Sequence, residues 1–576
     1  MKRGTLLVVL VALCVSGVVG CGGGSIFRPG VKSANFTFYA IGEDSAAPVY
    51  CIAGVVAIAN NASKDGSFAV TGGVQDYNNG DTIVSPQPSG DKITGGNLSI
   101  GANGTAVLTI ITNNTAVGVD GTETFIAVFP NSNHALITQF DGSATSSGSI
   151  DLQTSTALPS GSFAFTSAGA FSTDGETFSP AAFGGVFTVA SGSVTGSVDT
   201  NIGGTVNRSV AITGVTFTKP DSRFGRGTVD GLTSTHSNIN YYVVGPEVVR
   251  FIDVDSATAD TAVGSAYGQG ANPNFSSGDI VLSVFSFSNA FTGYAAAGEF
   301  FTFADDGVAK PAITKPAKGP VVPDGGVACS GTGTCILQAV GDLNELFAEN
   351  PVQLVSTHFN GSFQLPANGF GTMTFEEGFG DTANFGIYAI DPTLNILDPN
   401  DTTDTLGGVL IAEMDETLVG TGSVVPQSDI VVADFSGTYA GGGSGNSIQF
   451  TADEFDFLTL ATVTEPGGGF TGLVGISDPF EALTDSVILT TDASFTGAAV
   501  PDQTANGRFT LNPLALSAPE FDTINMAVGI YQASGSQLFW VETDSDTYFG
   551  GSLEQFPGTG GSDAIKAKPN NAKWTH

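Results

Sequence analysis

The stretch TFIAVFPNSNHALITQFD, residues 124–141, contains two apolar runs separated by a Pro-Asn-Ser-Asn turn. Runs rich in Val, Ile, Phe and Thr on either side of such a turn are typical of a β-hairpin. The same pattern returns at 240–255, 385–415 and 526–544, each time ending in Asp. These four hairpins predict four copies of one β unit.

Other segments recur in step with the hairpin. A turn carrying Gly and an alternating strand precede each hairpin, and a glutamine follows it. The first halves of the units agree at 71–76, 195–199 and 471–475, whereas the third unit has no clear copy there. Each unit is long enough for a core of its own. We therefore expect β repeats at 35–157, 158–272, 273–429 and 430–560, with a flexible tail at 561–576.

The spacing of the strands decides the fold class. Short apolar runs alternate with polar residues and are interrupted by Gly, Asn and Asp about every 8–12 residues, which predicts an all-β protein. Alternation buries one face of each strand, so each antiparallel sheet must close on itself or pack on a second sheet. Because successive strands read as hairpin-connected, we expect a tandem array of four antiparallel β-barrels, with β-sandwiches as the alternative.

Residues 308–357 interrupt the third unit and are predicted to be an insertion. The segment begins Pro-rich and has no counterpart in the other units. Asp342 and Glu345 have the spacing of a helix-capping box, and Pro351 would end the helix, so a short helix is predicted at 343–349. The insertion is either a neutral surface loop or an element that determines specificity.

The chain is strongly acidic, with 18 Lys and Arg against 55 Asp and Glu and a net charge of −37. Proteins hold nucleic acid through basic residues on its phosphates, so this balance predicts no nucleic-acid partner. The lysine cluster of Lys566, Lys568 and Lys573 lies in the terminal tail. An acidic surface attracts cations in general, and this is no sign of a metal site.

The N-terminus reads as an export signal. Lys2 and Arg3 are followed by a long apolar run, so residues 1–20 predict a signal peptide. Val18-Val19-Gly20-Cys21 resembles a bacterial lipobox, which implies cleavage before Cys21 and a diacylglycerol on its sulfur. Residues 21–34 then form a Gly/Ser tether. The residue after the cysteine is not Asp, which implies the outer membrane of a Gram-negative bacterium, on its periplasmic or outer face.

Several segments of the mature chain carry a second resemblance. They are GSFAF at 161–165, TGSVDTN at 195–201, GRGT at 225–228 and GSAYGQ at 264–269. These openings and turns resemble a repeat found in predicted lipoproteins of Acidobacteria and similar environmental bacteria. The resemblance implies an envelope lipoprotein built from β repeats and implies no activity.

The cysteines outside the leader fall into two groups. Cys329 and Cys335 are close enough in sequence to form a small disulfide loop in an oxidising envelope, which would contribute roughly 2 kcal/mol. Two sulfurs without a neighbouring His or Cys are half of a zinc site, so metal binding is the weaker alternative. Cys51 is expected to be a buried thiol.

Three of the four hairpins end in two carboxylates at i and i+2. The pairs are Asp253 and Asp255, Glu413 and Asp415, and Glu542 and Asp544. Side chains at this spacing share one strand face, so a pair could bind calcium with further oxygens or supply the acid and base of glycoside hydrolysis. The favoured interpretation is a solvated strand end. We expect no cofactor, with calcium at these pairs as the alternative.

No histidine spacing typical of zinc occurs in the sequence, and His134 is expected to be an exposed turn residue. The sequence thus predicts a lipid-anchored envelope protein that acts as a non-enzymatic binding or structural module for an unknown envelope or extracellular ligand. One alternative is a carrier of a small apolar ligand inside a Phe-rich barrel. The other is a carbohydrate-active enzyme in which Trp540 stacks on sugar and Glu542 and Asp544 act as acid and base.

Overall fold

The protein is described here by a computed structural model. It covers residues 33–556 except 45–46, 61–65, 102–103, 173–177, 233–237, 256–259, 272, 274–278, 286–291, 305–333, 348–349, 377–381, 405–406, 417, 428–434, 448–453, 465–467, 480–486, 503–506 and 545–546. Over these described residues the chain forms 34 strands, paired antiparallel, and no helix. The predicted all-β fold is confirmed.

The first barrel contains nine strands. They are β1 Ser33–Asp44, β2 Ala47–Asn60, β3 Ser67–Asn78, β4 Ile83–Val84, β5 Asp91–Ile100, β6 Thr105–Thr112, β7 Thr122–Val128, β8 His134–Gln139 and β9 Ala144–Leu152. Strand β1 pairs with β2 and β9, and β2 pairs with β3, so eight strands close into a ring. The short β4 adds to β3 outside that ring.

The second and third barrels are each closed rings of eight strands. The second has β10 Gly161–Ser172, β11 Phe178–Ala190, β12 Ser193–Ile202, β13 Thr205–Phe217, β14 Arg226–Asp230, β15 Asn238–Gly245, β16 Val248–Asp253 and β17 Thr261–Gly268. The third has β18 Asp279–Phe285, β19 Thr292–Ala304, β20 Cys335–Phe347, β21 Asn350–Gln364, β22 Phe370–Glu376, β23 Thr382–Ala389, β24 Val409–Glu413 and β25 Thr421–Pro426.

The fourth barrel again has one strand beyond the ring of eight. Its strands are β26 Gly437–Ser447, β27 Glu454–Val463, β28 Gly469–Asp478, β29 Ile488–Ala498, β30 Val500–Pro501, β31 Arg508–Ala518, β32 Phe521–Gln532, β33 Gln537–Glu542 and β34 Thr547–Gln555. Closure comes from the pairing of β26 with β34 and of β29 with β31. In all four barrels neighbouring strands follow one another in sequence, which is the up-and-down barrel and not the sandwich.

Aromatic side chains from alternate strand positions fill the barrel interiors. In the second barrel Phe187 packs on Phe163, with ring centroids 5.4 Å apart. In the fourth barrel Trp540 packs on Phe457 at 5.0 Å and on Phe549 at 5.2 Å. The Phe-rich alternation of the sequence therefore builds the cores, since one face of each strand points inward.

The four barrels form a ring of their own. Strand β2 contacts β16 and β17 of the second barrel, β11 contacts β23 and β24 of the third, and β19 contacts β33 and β34 of the fourth. Strand β27 of the fourth barrel then contacts β8 and β9 of the first. A head-to-tail interface closes into a ring when its rotation allows it. One type of interface, used four times, thus closes the array.

The helix predicted at 343–349 is wrong. Residues 335–347 and 350–364 are long strands in the wall of the third barrel, and Leu343 pairs with Leu354 across them. A capping box is a local signal, and strand pairing on both sides of β20 outweighs it. In the rest of the segment predicted as an insertion, residues 308–333 and 348–349 lie outside the described residues.

Candidate functional site

An asparagine at the end of a strand fastens the first barrel to the second. Asn78, the last residue of β3, is buried, and its Nδ2 donates to the backbone oxygens of Asp253 at 2.9 Å and Asp260 at 2.7 Å. Its Oδ1 accepts from the backbone N–H of Gly80 at 2.8 Å, which fixes the amide. The side chain thereby pairs backbone groups that the hairpin end leaves without strand partners.

The same contact recurs at the next two interfaces. Asn201 of β12 donates to the backbone oxygens of Glu413 at 3.0 Å and Asp415 at 2.9 Å. Asn344 of β20 donates to that of Asp544 at 3.0 Å. The hairpin ends that carry the predicted carboxylate pairs are therefore docking points for the preceding barrel, and the docking uses their backbone.

Two residues before each asparagine, a buried aspartate forms the ionic part of the interface. Asp76 accepts from Nε and Nη2 of Arg226 at 2.8 and 2.9 Å, and also from the hydroxyl of Tyr242. Asp342 accepts from Nε and Nη2 of Arg508 at 3.0 and 2.7 Å. Two-point pairing of guanidinium and carboxylate fixes geometry as well as charge, so it also sets the angle between barrels.

The interface between the second and third barrels uses the same aspartate with other partners. The hydroxyl of Tyr388 donates to Asp199 at 2.9 Å, and Nε of Arg208, from the same barrel as Asp199, lies 3.2 Å from the carboxylate. Phe370 takes the strand position that arginine holds in the neighbouring barrels, and its ring lies 5.5 Å from that of Tyr388. Tyr388 rests on Gly184, where an added Cβ would come 2.1 Å from the ring.

The interface between the fourth and first barrels, which we call the closing interface, has hydroxyl donors in place of arginine. Thr145 of the first barrel donates to Asp456 Oδ2 at 2.7 Å and to the backbone oxygen of Ser477 at 3.0 Å. Ser444 also donates to Asp456. Burial raises the pKa of Asp456 to about 7 and raises that of the buried neighbour Glu454 well above its usual range. This interface therefore holds carboxyl groups that favour the protonated form.

The centre of the ring is a cavity of about 360 Å³ to which all four barrels contribute. Apolar side chains supply the larger share of its wall, and hydroxyl side chains and glycine backbone supply the rest. The hydroxyl residues are Ser147, Ser149, Thr166, Ser167, Ser265, Thr421, Ser423, Ser444 and Ser552. The apolar part includes Tyr39, Ala168, Ile396, Leu397 and Phe539. We take this central cavity as the candidate functional site.

Beside the cavity, five buried charged side chains form a network that we call the hub. They are His134 and Asp151 of the first barrel, Arg250 of the second, Asp398 of the third and Glu554 of the fourth. His134 Nδ1 lies 2.7 Å from Asp151 Oδ1, and its Nε2 lies 3.2 Å from Glu554 Oε1. Arg250 Nη2 donates to Asp151 Oδ2 at 2.7 Å. The hub thus ties the four barrels together at the wall of the cavity.

The hub carries a charged imidazole. Burial alone would lower the pKa of His134, but the carboxylates of Glu554, Asp398 and Asp151 raise it well above its usual range. Burial would raise the pKa of Asp151, but Arg250 and His134 lower it. Both ring nitrogens of His134 face carboxylates, and Ser149 donates to Asp151 and not to the imidazole. The arrangement therefore does not form a nucleophile and base pair of the Ser-His-Asp kind.

The expectation of an exposed His134 is wrong. The residue is fully buried because Glu554 of the fourth barrel and the loop carrying Asp398 cover the turn that precedes it. Asn131 in that turn donates to Asp398 Oδ2 at 2.8 Å. The sequence of the first unit alone does not predict this burial, since the covering residues Asp398 and Glu554 lie several hundred positions away.

The hub also meets the distance criterion for a metal site. Among the described residues, ligand atoms of His134, Asp151 and Asp398 lie within 4.8 Å of one another, and none of these was a predicted ligand. The cationic partners of these carboxylates are the imidazole and the guanidinium of Arg250. A metal ion would have to displace a proton and compete with an arginine, so we interpret the hub as an ionic network.

The predicted carboxylate pairs lie at the barrel interfaces. Asp253, Asp255, Glu413 and Glu542 are buried, so the expectation of solvated strand ends is wrong for these four. The preceding barrel covers them, as its asparagine shows. Asp544 is half-buried, and its carboxylate accepts from the backbone N–H of Ala527 at 3.0 Å.

The placement of Trp540 removes the geometry that the enzyme hypothesis needs. Its ring lies inside the fourth barrel against Phe457 and Phe549, with 6% of the residue exposed. Glu542 is fully buried and accepts from the hydroxyl of Thr547. A sugar ring has no access to a tryptophan face inside a packed core.

The interior of the fourth barrel leaves little room for a ligand. The space among its aromatic and aliphatic side chains is about 70 Å³. Ligand pockets are typically about 300–1,000 Å³, so this interior is a packed core. Among the cavities described, the one between the barrels has the size of a ligand site.

Comparisons with known proteins find matches among solved structures alone. No protein-family model matches the chain. No curated protein is similar to it in sequence. Among solved structures, intact transferrin-binding protein B with its N and C lobes matches 73% of this chain and 84% of its own, at 10% identity and a TM-score of 0.17. A double mutant of transferrin-binding protein B from Haemophilus parasuis matches 73% and 82%, at 10% identity and a TM-score of 0.16.

The alcaligin outer-membrane receptor FauA from Bordetella pertussis matches 92% of this chain and 76% of its own, at 7% identity and a TM-score of 0.13. TM-scores this low do not establish a shared fold, and we infer nothing about ligands from them. Within the described residues, no helix has the length and hydrophobicity needed to cross a membrane.

Sequence reasoning missed the interface motif, although the sequence contains it. Asp-x-Asn occurs at 76–78, 199–201 and 342–344, each time near the end of the third strand of a ring, and a fourth copy at 398–400 lies between strands. At 76–78 the motif looks like part of a turn, because Asp and Asn are common turn residues. At 342–344 it looks like the start of a helix. Aligning the units by this motif would have shown one buried carboxylate and one amide recurring in register.

Three predicted features lie outside the described residues. They are the leader with Cys21, most of the Gly/Ser tether, and the terminal tail. Cys329 also lies outside, whereas its predicted partner Cys335 is buried at the start of β20. Cys51 is fully buried in β2, as expected.

Proposed function

We propose that this chain is a lipid-anchored cell-envelope protein and that its four-barrel ring is a non-enzymatic binding module. A lipid on Cys21 would hold it at the outer membrane of a Gram-negative bacterium. The lipobox-like Val18–Cys21 segment and the Gly/Ser tether at 21–34 support the anchor. The ligand site that we propose is the central cavity.

The observation that carries this proposal is that all four barrels line one cavity. Its volume, about 360 Å³, falls in the range of small-molecule sites. Ring closure is required to form it, so folding the array and forming the site are the same event. An array with a purely structural role needs no such space at its centre.

The wall of the cavity indicates the class of ligand. Hydroxyl groups such as those of Ser147 and Ser552 can both donate and accept hydrogen bonds. The charge of Glu554 at the wall is met by His134. Tyr39 and Phe539 add apolar faces. These groups fit a small uncharged molecule that carries several hydrogen-bonding groups and an apolar side.

The anchor is tested by metabolic labelling with radioactive palmitate. We expect labelled full-length protein in the membrane fraction, and loss of both label and membrane retention in Cys21→Ser. Unchanged labelling in Cys21→Ser would contradict the anchor while leaving the binding role open.

The binding role is tested by native mass spectrometry of the chain purified from its own host. We expect a co-purifying small molecule. Ala168→Trp should exclude it, because Ala168 is half-buried and lines the cavity. The matched control is Val210→Trp on the outer face of the same barrel, where 44% of the residue is exposed. A ligand retained equally in both variants would place its site elsewhere.

A further inference from the structure

One end of the first barrel is polar inside. Gln75 of β3 lies directly across from Asp91 of β5 in the strand pairing. Asp91 shares an inward face with the core residue Ile93, and Glu123 of β7 shares one with the core residue Phe125. Three side chains that can offer oxygen ligands therefore converge inside this end of the barrel.

The second and fourth barrels carry apolar residues at the comparable place, and the third has Gly341 there. Val198 precedes Asp199 in β12 just as Gln75 precedes Asp76 in β3, and Val198 belongs to the apolar core of the second barrel. Ile476 precedes Ser477 in β28 and belongs to the core of the fourth. The polar interior is thus a feature of the first barrel that its fold does not require.

Four polar atoms at this end have no hydrogen-bond partner among the described residues. They are Gln75 Oε1, Asp91 Oδ2, Glu123 Oε1 and Tyr50 Oη. Gln75, Glu123 and Tyr50 are fully buried, and Asp91 is 7% exposed. Leaving a buried polar group unpaired costs about 1–3 kcal/mol, so four in one place indicate a missing partner.

The unpaired atoms belong to one cluster. Gln75 Nε2 donates to Glu123 Oε2 at 2.7 Å, which holds the amide beside the carboxylate. The ring of Tyr50 packs on that of Tyr77 with centroids 5.2 Å apart, and the Tyr77 hydroxyl donates to Asp44 at 2.6 Å. Three of the four unpaired atoms are carbonyl or carboxylate oxygens, so their partner must supply positive charge or N–H and O–H donors.

Charge favours a cation as the missing partner. Glu123 is fully buried and Asp91 is nearly so, and both lie on the inner face of this barrel end. A buried carboxylate is stabilised by a positive charge placed beside it.

We propose that this end of the first barrel binds a calcium ion, with Gln75, Asp91 and Glu123 as protein ligands. All three offer oxygen, the donor that hard cations prefer, and the two carboxylates balance a double positive charge. Calcium accepts about 6–8 oxygens in irregular geometry, whereas magnesium demands a regular octahedron and releases its water reluctantly. The site is separate from the central cavity, and neither proposal depends on the other.

The experiment uses the full chain, stripped with a chelator and then dialysed against calcium. Elemental analysis should find a single tightly held calcium ion, and calcium should raise the unfolding midpoint by roughly 2–5 °C. Terbium in place of calcium should show luminescence on tyrosine excitation, because Tyr50 and Tyr77 lie beside the site. Equal midpoints with and without chelator, together with no retained calcium, would overturn the proposal in favour of buried water.

Variants localise the ion. Glu123→Gln should release the calcium and lose the shift, whereas Glu542→Gln, a buried carboxyl in the fourth barrel, should keep both. If Glu123→Gln does not fold, Gln75→Val introduces the residue that the second barrel has at that place and should weaken calcium binding at least tenfold. Calcium retained in Glu123→Gln and Gln75→Val but lost in Glu542→Gln would contradict the assignment.

Discussion

Asp76 and Arg226 lie 150 residues apart in the chain, and their side chains form a two-point ion pair that joins the first barrel to the second. The equivalent pair of Asp342 and Arg508, 166 residues apart, joins the third barrel to the fourth. At three interfaces the preceding barrel thus supplies an aspartate and the following barrel an arginine or tyrosine, whereas at the closing interface Asp456 meets the hydroxyl of Thr145. Complementary groups on opposite sides of one repeated unit allow a tandem array to close.

Breaking the first of these pairs should separate the first two barrels. Asp76→Asn leaves the guanidinium of Arg226 buried without its counter-charge, and removal of one partner of a buried ion pair costs about 3–5 kcal/mol. We expect a lower urea midpoint and new proteolytic cleavage between the barrels. Asp81→Asn, at a nearby exposed aspartate, is the control and should change neither. A double variant Asp76→Leu with Arg226→Met should recover much of the loss, since no buried charge remains.

The asparagine contact should also weaken when the amide is replaced by a carboxylate of the same shape. Asn201→Asp replaces an amide donor by a carboxylate that faces the backbone oxygens of Glu413, Asp415 and Leu418. The lost hydrogen bonds and the new repulsion should cost at least about 2 kcal/mol, read as a lower unfolding midpoint. Asn207→Asp on the exposed face of the next strand is the matched control. Equal effects of the two substitutions would show that Asn201 does not hold the interface.

Much of each barrel could be predicted from the sequence, because strand alternation and turn residues are local signals. The hairpin at 124–141 is present as β7 and β8, and the Phe-rich positions are core. The ring of barrels could not be predicted in the same way. It depends on contacts between residues more than 100 positions apart, and each contact involves one or two side chains.

The errors at the candidate site have the same cause. The sequence predicts an exposed His134 because the residue lies beside a turn, and a solvated Glu542 because an apolar strand ends there. Both are buried because another barrel covers that end. The central cavity itself contains no motif, since its wall is made of apolar, Ser, Thr and Gly residues from four separate units. What could have been found is the Asp-x-Asn register, which three units share.

The closing interface should weaken as pH rises. The pKa of Asp456 is about 7 in the folded ring against an ordinary value of 3.8, chiefly because the group is buried. The folded state therefore holds a proton that the unfolded chain has already released, so stability falls from about pH 4 to about pH 7 and levels off above. Burial raises the pKa of Glu454 too, which acts in the same direction.

The measurement compares urea midpoints at about pH 5 and about pH 8 for the wild type and Asp456→Asn. The wild type should lose about 2–3 kcal/mol over this range at the closing interface, and the variant, which cannot ionise at that position, should lose less. Asp81→Asn should behave like the wild type. A wild-type urea midpoint that rises from about pH 5 to about pH 8 relative to that of Asp456→Asn would contradict the assignment of a protonated Asp456.

The titrating group of the hub is a base, the imidazole of His134, so the hub loses stability over a different pH range from the closing interface. Three carboxylates raise the pKa of His134 well above its ordinary 6.5, so the stability from its charge is complete below that value and is lost as pH rises through the raised one. His134→Gln keeps polar atoms in place but leaves Asp151 and Glu554 without the imidazolium, at a cost of about 3 kcal/mol or more. The difference between wild type and variant should therefore be largest near pH 6 and shrink at alkaline pH. His576→Gln at the chain end is the control, and a difference that does not change with pH would show that His134 is neutral in the folded ring.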